Sequence, residues 1–197
     1  MNLEGYQTVF VVAILGSMLI AASPTISLYL PSGGERFSEL WVLGPDHMAE
    51  DYPFNVVVGE EYSVFVGVGC HMGESTHYIV YVKFRNQTQP LPNASASTPS
   101  PLEPLYEFQT FIEDGEIWEE QVNFAISDIS FGINSSFIRH LSVNDVVFEV
   151  NCVATWDSEY EGFFYQVFFE LWFYDGEVQS FRYHNRFVGI WLNMTRF

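Results

Sequence analysis

The 197-residue chain carries 25 acidic and 7 basic residues, a formal charge of −18, yet 48% of it is hydrophobic and 18% aromatic. That composition excludes a disordered acidic tail and suffices for one folded domain with a sizeable core. The charge also argues against nucleic acid and anionic lipid headgroups as partners, since both would be repelled.

Residues 5–34 contain no charged side chain, and within them residues 9–22 (VFVVAILGSMLIAA) are apolar enough to enter a bilayer. A full span needs about 20 apolar residues, so a membrane anchor is drawn over residues 8–30, with a tail at 1–7 and a spacer at 31–35. A cleaved signal peptide is the rival reading. The lack of Lys or Arg before the segment, and Pro24 after its small residues, favour an uncleaved anchor. With no basic residue ahead of it, the positive-inside rule assigns no orientation. Four Asn-x-Ser/Thr acceptor sites, at Asn86, Asn93, Asn134 and Asn193, are expected glycan positions, and such sites are used only outside the cytoplasm. The chain is therefore expected to cross the cell membrane once, with its bulk extracytoplasmic.

From residue 36 onward apolar residues repeat with period 2, the period of strands. Tyr62, Val64, Val66, Val68 and Cys70 alternate with Ser63, Phe65, Gly67 and Gly69; Tyr78, Val80, Val82 and Phe84 follow, with Lys83 and Arg85 on the opposite face. Further strands are predicted over 118–126, 146–156, 163–174 and 179–193, the last two joined by a tight turn in which Asp175 and Gly176 supply positive φ. Residues 87–104, with five prolines, read as a mobile loop, and 127–145 as a second insertion with one helical turn near Phe137 to Leu141. No long amphipathic helix can be drawn after residue 35, so the strands must cover one another in a two-sheet β-sandwich over 36–197.

Residues 37–61 (FSELWVLGPDHMAEDYPFNVVVGEE) resemble the opening pattern of a domain-of-unknown-function family of archaeal membrane proteins. Phe37, Glu39, Leu43, Gly44, Pro45, Ala49, Glu50, Tyr52, Pro53, Val58, Gly59 and Glu60 carry the likeness, and later parts resemble the same domain as far as residue 193. The resemblance implies an all-β, immunoglobulin-like antiparallel sandwich outside the membrane, and no known activity. This chain departs from the family in having one membrane segment where members have several, in His47 where glycine is common, and in Cys70 where asparagine is common. Residues 127–161 look inserted. Cys70 and Cys152 both fall on inward strand phases, which in an oxidising compartment favours an inter-sheet disulfide like that of immunoglobulin domains.

No nucleophile elbow, phosphate loop or His-Glu-x-x-His motif is present, so the domain is expected to be non-enzymatic, without cofactor or metal. Cys70, His71, Glu74 and His77 have metal-ligand chemistry but not the spacing of a known zinc site, and a strand turn explains them better. The acidic runs Glu113, Asp114, Glu116 and Asp157, Glu159, Glu161 read as hairpin tips rather than calcium loops. In residues 163–174 one phase is core, and the other places Phe164, Phe168, Trp172 and Tyr174 on the opposite face with Gln166 and Glu170. That aromatic stripe is either covered by an insertion or open as a platform for a protein or a glycan, and coverage is favoured because large exposed apolar patches are rare. The leading expectation is an interaction or envelope-structure module at the cell surface, with carbohydrate binding and a metal-dependent enzyme as alternatives.

Overall fold

Period-2 alternation builds two five-stranded sheets. The computed structural model describes residues 6, 9–18, 20 and 35–194, and the chain divides into two units, Met1–Arg36 and Phe37–Phe197. In the first unit, residues 6, 9–18 and 20 are helical, with Val9, Phe10, Val12 and Leu15 exposed. No helix among the described residues is long and apolar enough to cross a membrane, and much of the segment 8–30 assigned to a transmembrane helix lies outside them.

In the second unit, β1 (Phe37–Leu43), β3 (Glu61–His71), β6 (Ile117–Phe131), β7 (Ser135–Val143) and β8 (Val146–Thr155) form the first sheet in that order. The second sheet runs β2 (Asn55–Val56), β10 (Ser180–Met194), β9 (Phe163–Asp175), β4 (Thr76–Asn86) and β5 (Tyr106–Ile112). All pairings are antiparallel except that of β2 with β10. Val64, Val66 and Val68 of β3, Tyr78, Val80 and Val82 of β4, and Phe163, Tyr165, Val167, Phe169 and Leu171 of β9 are fully buried in one core, on the phases read from the sequence. Each such aliphatic or Phe side chain contributes about 1.5–3 kcal/mol by leaving water. On the outer side of the first sheet, Trp41 lies flat over Gly67, where a Cβ would have no room, and its Nε1 donates to Glu119 at 3.2 Å.

Three sequence expectations are corrected. Residues 127–145 hold no helical turn near Phe137 to Leu141: β6 runs on to Phe131 and β7 follows, joined to β8 by Asn144 and Asp145, both at positive φ (47° and 64°), as a two-residue hairpin turn requires. A bulge after Ile138 shifts the phase, so the buried residues are Ser136, Ile138, Leu141 and Val143, and the three-residue step from Ile138 to Leu141 imitates helical spacing. The Asp175–Gly176 turn is a longer loop closing at Ser180, with positive φ at Gln179 (53°); Asp175 acts through its carboxylate, which accepts from the Glu177 amide at 2.9 Å. The disulfide is absent: Cys70 and Cys152 are buried but free. Both belong to the first sheet, on its second and fifth strands, so about three strand spacings of ~4.8 Å separate them, well beyond the ~7 Å Cα limit. Burial instead pushes the Cys152 thiol up to about 12, and its Sγ lies 3.4 Å from Gln89 Oε1.

The edge of β1 is tied to the second sheet by buried polar contacts. Ser38 Oγ lies 2.6 Å from Tyr78 Oη and 2.8 Å from His184 Nε2, while Arg186 Nε donates to the Ser38 carbonyl at 3.2 Å. Burial first, and the Arg186 charge second, hold His184 below its ordinary value of 6.5. The unfolded chain therefore protonates this histidine near pH 6.5, and the folded chain does so only at lower pH. Its contribution to stability is full above about pH 6.5 and is lost as pH falls from there through the folded value. Urea unfolding at pH 7.5 and stepwise down to pH 5 is expected to show that loss, and His184→Gln is expected to remove its share of the pH dependence.

Candidate functional site

The outer face of the second sheet, where the sequence placed the aromatic stripe, combines aromatic and charged side chains. Register sets Tyr81 beside Glu170, Lys83 beside Phe168, and Arg85 beside Gln166 between β4 and β9; on β10, Gly189 and Trp191 continue the Phe168 and Gln166 rows. Residues 87–104 lie across this face. Lys83 Nζ pairs with Glu170 Oε2 at 2.9 Å, the two side chains being 4% and 0% exposed. Ser100 completes the clasp, its carbonyl accepting from Lys83 at 3.0 Å and its amide donating to Glu170 Oε1 at 2.8 Å. Arg85 donates from Nε to Gln166 at 2.8 Å and from Nη1 to the Gln89 carbonyl. The loop expected to be mobile is thus pinned. Its prolines restrict the unfolded chain as well, which lowers the entropy lost on ordering it.

The cover divides the stripe. Phe168 is fully buried and Phe164 nearly so, Trp172 is half-buried with Nε1 donating to Glu170 at 3.3 Å, and Tyr174 is exposed at the hairpin end. A continuous open platform of the four is not formed, in line with the favoured reading.

Among the described residues, openings lie at opposite ends of the β9–β10 hairpin. At the Phe164 end, a cavity of about 370 Å³ is lined by Phe54, Gln87, Asp157, Tyr160, Phe164 and Trp191. Past the shared Phe54 and Trp191 lies a second hollow of about 560 Å³, between Trp41 and Tyr52 on one side and Val188 to Ile190 on the other. Phe54, Tyr160 and Trp191 are 48%, 68% and 38% exposed. Their placement is built in. Asp157 Oδ1 accepts from the amides of Glu159 and Tyr160 at 2.9 and 3.1 Å, and Gln87 donates to its Oδ2 at 3.2 Å, which sets Tyr160 edge-on to Phe164. The Arg85 guanidinium lies over the Trp191 ring, 5.1 Å from its centroid, and fixes the indole. At the Trp172 end, a cleft of about 470 Å³ opens between the loop and β10.

Phe54, Tyr160 and Trp191 were not read from the sequence as site residues. The signal for Trp191 was present: Ile190, Leu192 and Met194 are buried, so alternation turns Trp191 outward. Phe54 lies in the irregular segment before β2 and Tyr160 in a turn, where periodicity carries no information.

The other candidates disperse. Cys70 points into the core, with Sγ 3.6 Å from the Glu74 carbonyl; His71 packs on Phe37 outside the first sheet; His77 contacts Phe111 and Phe181 at the second. Among the described residues, no three His, Cys, Asp or Glu side chains are gathered to hold a metal ion. Asp114 accepts from the Gly73 amide at 2.7 Å, a turn contact. Of the four acceptor asparagines, Asn93 and Asn134 are exposed, whereas Asn193 is 6% exposed and donates to Asn55. Asn86 is half-buried, with Nδ2 donating to the Val153 carbonyl at 2.6 Å.

The family described as a domain of unknown function, DUF1616, matches residues 31–132, which spans β1 to β6. No curated protein matches the chain.

Removing one partner of a buried pair leaves an uncompensated charge. Lys83→Met is therefore expected to cost about 3–5 kcal/mol in urea unfolding and to expose residues 87–104 to limited proteolysis. Combining it with Glu170→Leu is expected to cost less than the sum of the two single changes.

Proposed function

The chain belongs to the DUF1616 family, and we propose that it is a non-catalytic interaction module, displayed outside the cell membrane from its N-terminal hydrophobic segment. Its partner is a protein, held in the aromatic groove of Phe54, Tyr160 and Trp191. The observation that carries this reading is the exposure of three large aromatics around connected hollows, with Trp191 and Tyr160 already fixed by Arg85 and Asp157. Such pre-set aromatics are the usual anchors of protein interfaces. Glu159 and Glu161 flank Tyr160, and Glu50 and Asp51 precede Phe54, on a chain of formal charge −18. The rim therefore selects a partner with a basic border around its apolar anchor.

The buried polar groups favour a structural over a catalytic reading, because each of the main clusters holds strands or loops together: Lys83 with Glu170, Ser38 with Tyr78 and His184, Ser136 with Tyr165. The immunoglobulin-like reading of the sandwich rests on the second sheet, whose order β10-β9-β4-β5 corresponds to strands G, F, C and C′ of a variable-type domain. The first sheet departs from that plan. Its strand next to β3 is followed by two further outward strands before the chain crosses to β9.

Crosslinking in native membranes followed by mass spectrometry is expected to yield a partner that is lost in the Tyr160→Ala/Trp191→Ala variant and weakened by salt. An unchanged crosslink pattern in that variant overturns the groove as the interface. On glycopeptide mapping of the native protein, Asn93 and Asn134 are the positions expected to carry glycan, with Asn86 and Asn193 unmodified because their side chains are engaged.

A further inference from the structure

The cleft at the Trp172 end differs from the groove in a way that points to a small ligand. It measures about 470 Å³, and its walls include Pro99 and Ser97 of the loop, Trp172 of β9, and Phe181, Tyr183 and Asn185 of β10. This volume is in the range of small-molecule sites. Two of these residues carry buried oxygens without a hydrogen-bond partner, Tyr183 Oη and Asn185 Oδ1. Buried polar atoms are almost always satisfied, and one left unmade costs about 1–3 kcal/mol. Two side by side along one strand, in one cleft, call for a ligand.

The strand is built irregularly here. Between Tyr183 and Arg186 the pairing with β9 slips, so that Tyr183 opposes Trp172 and Arg186 opposes Leu171, with His184 and Asn185 bulged out between them. Asn185 takes positive φ (58°) at the bulge. Bulges of this kind re-aim side chains and are over-represented beside functional sites. His184 turns inward to Ser38, while Tyr183 and Asn185 line the cleft.

The chemistry of the two oxygens selects the ligand. Burial, with the Glu170 charge adding to it, pushes the Tyr183 phenol up to about 12, so it is a hydroxyl with a proton to donate. The Asn185 oxygen can only accept. An alcohol hydroxyl, like water, accepts from one and donates to the other, and unlike water it brings a carbon skeleton to the apolar walls. The faces of Trp172, Phe181 and Pro99 supply an apolar wall for the C–H side of a ring. The one charged lining residue, Arg182, is already paired with Asp175 at 2.9 Å, and the chain is strongly acidic, so an anionic ligand gains nothing here.

We propose that this cleft binds a neutral sugar residue, with Trp172 and Phe181 against the ring and a hydroxyl bridging Tyr183 and Asn185. The site lies at the opposite end of the hairpin from the protein-binding groove and does not depend on it.

The test uses the full chain in detergent, with an array of neutral and acidic glycans and then saturation-transfer NMR with methyl glycosides of glucose, galactose, mannose and N-acetylglucosamine. At least one neutral sugar is expected to bind. Tyr183→Phe and Asn185→Ala are each expected to weaken that binding at least tenfold, and Trp191→Ala to leave it unchanged. Tyr183→Phe removes an unpartnered buried hydroxyl while keeping the ring, so without sugar it is expected to melt no lower than the parent chain, and the sugar-induced rise in melting temperature is expected to disappear. Binding of acidic glycans only, no neutral sugar bound at millimolar concentration, or undiminished binding in both variants overturns the proposal.

Discussion

The contact between Lys83 and Glu170 organises the face of the molecule that matters. Moving two charges out of water costs several kcal/mol each, and only close geometry with further hydrogen bonds recovers it. Here the ammonium meets a carboxylate and the Ser100 carbonyl, and the carboxylate meets the Ser100 amide and the Trp172 indole. Both of the loop's contacts with the pair come from one residue, so the pair cannot stay buried unless residues 87–104 lie where they do. The loop in turn covers Phe168, and the openings described lie beyond its two sides. The groove and the cleft are consequences of that closure.

Lys83 is the sole lysine of the chain, and it is buried; Arg85, one strand step further on, is buried beside it. Two of the seven basic residues thus serve the interior, and the exterior is more acidic than the formal charge of −18 suggests. A surface of that sign keeps copies of the chain apart and draws basic partners. It also fits openings lined chiefly by aromatic and neutral groups, with Asp157 and Arg182 already engaged by neighbouring hydrogen bonds: apolar contact and hydrogen bonding are the attractions that do not have to work against the field.

The scaffold was legible in the sequence wherever one face of a strand is core and the other is not. In residues 62–70 and 78–84 the core phase is the one read in advance, and in 163–174 the predicted core phase is buried too, although the covering loop buries much of the opposite phase as well. Legibility failed where the period is interrupted. The bulge after Ile138 makes a strand look like a helical turn, and the short β2 has too few residues to show a period. The disulfide reading failed for a different reason. Strand phase says whether a side chain points inward, but not which sheet the strand joins, and Cys70 and Cys152 turned out to share one. The loop was misread because its clasp is not local: Ser100 and Glu170 are 70 positions apart. Coverage of the aromatic stripe followed from the rarity of exposed apolar surface, whereas the identity of the cover did not.

The family match and the openings divide the chain in an instructive way. Residues 31–132 contain β1 to β6 and the loop with Ser100, and therefore half of the clasp. Glu170, Tyr160, Trp191, Tyr183 and Asn185 all lie beyond it, on β9, β10 and the turn before them. The matched part supplies a frame: the Gly44–Pro45 turn, the Trp41 indole on Gly67, and the strands that carry the core. Left-handed backbone at His47 (φ 56°) shows why glycine suits that position, and the histidine ring is accommodated by stacking on Phe65, 3.7 Å between centroids. Outward residues beyond the frame can change without disturbing it, because the core phases of β9 and β10 are separate from their outward ones. A substitution at Trp191 or Tyr183 alters what the outer face offers, while Ile190, Leu192 and Met194 go on packing as before.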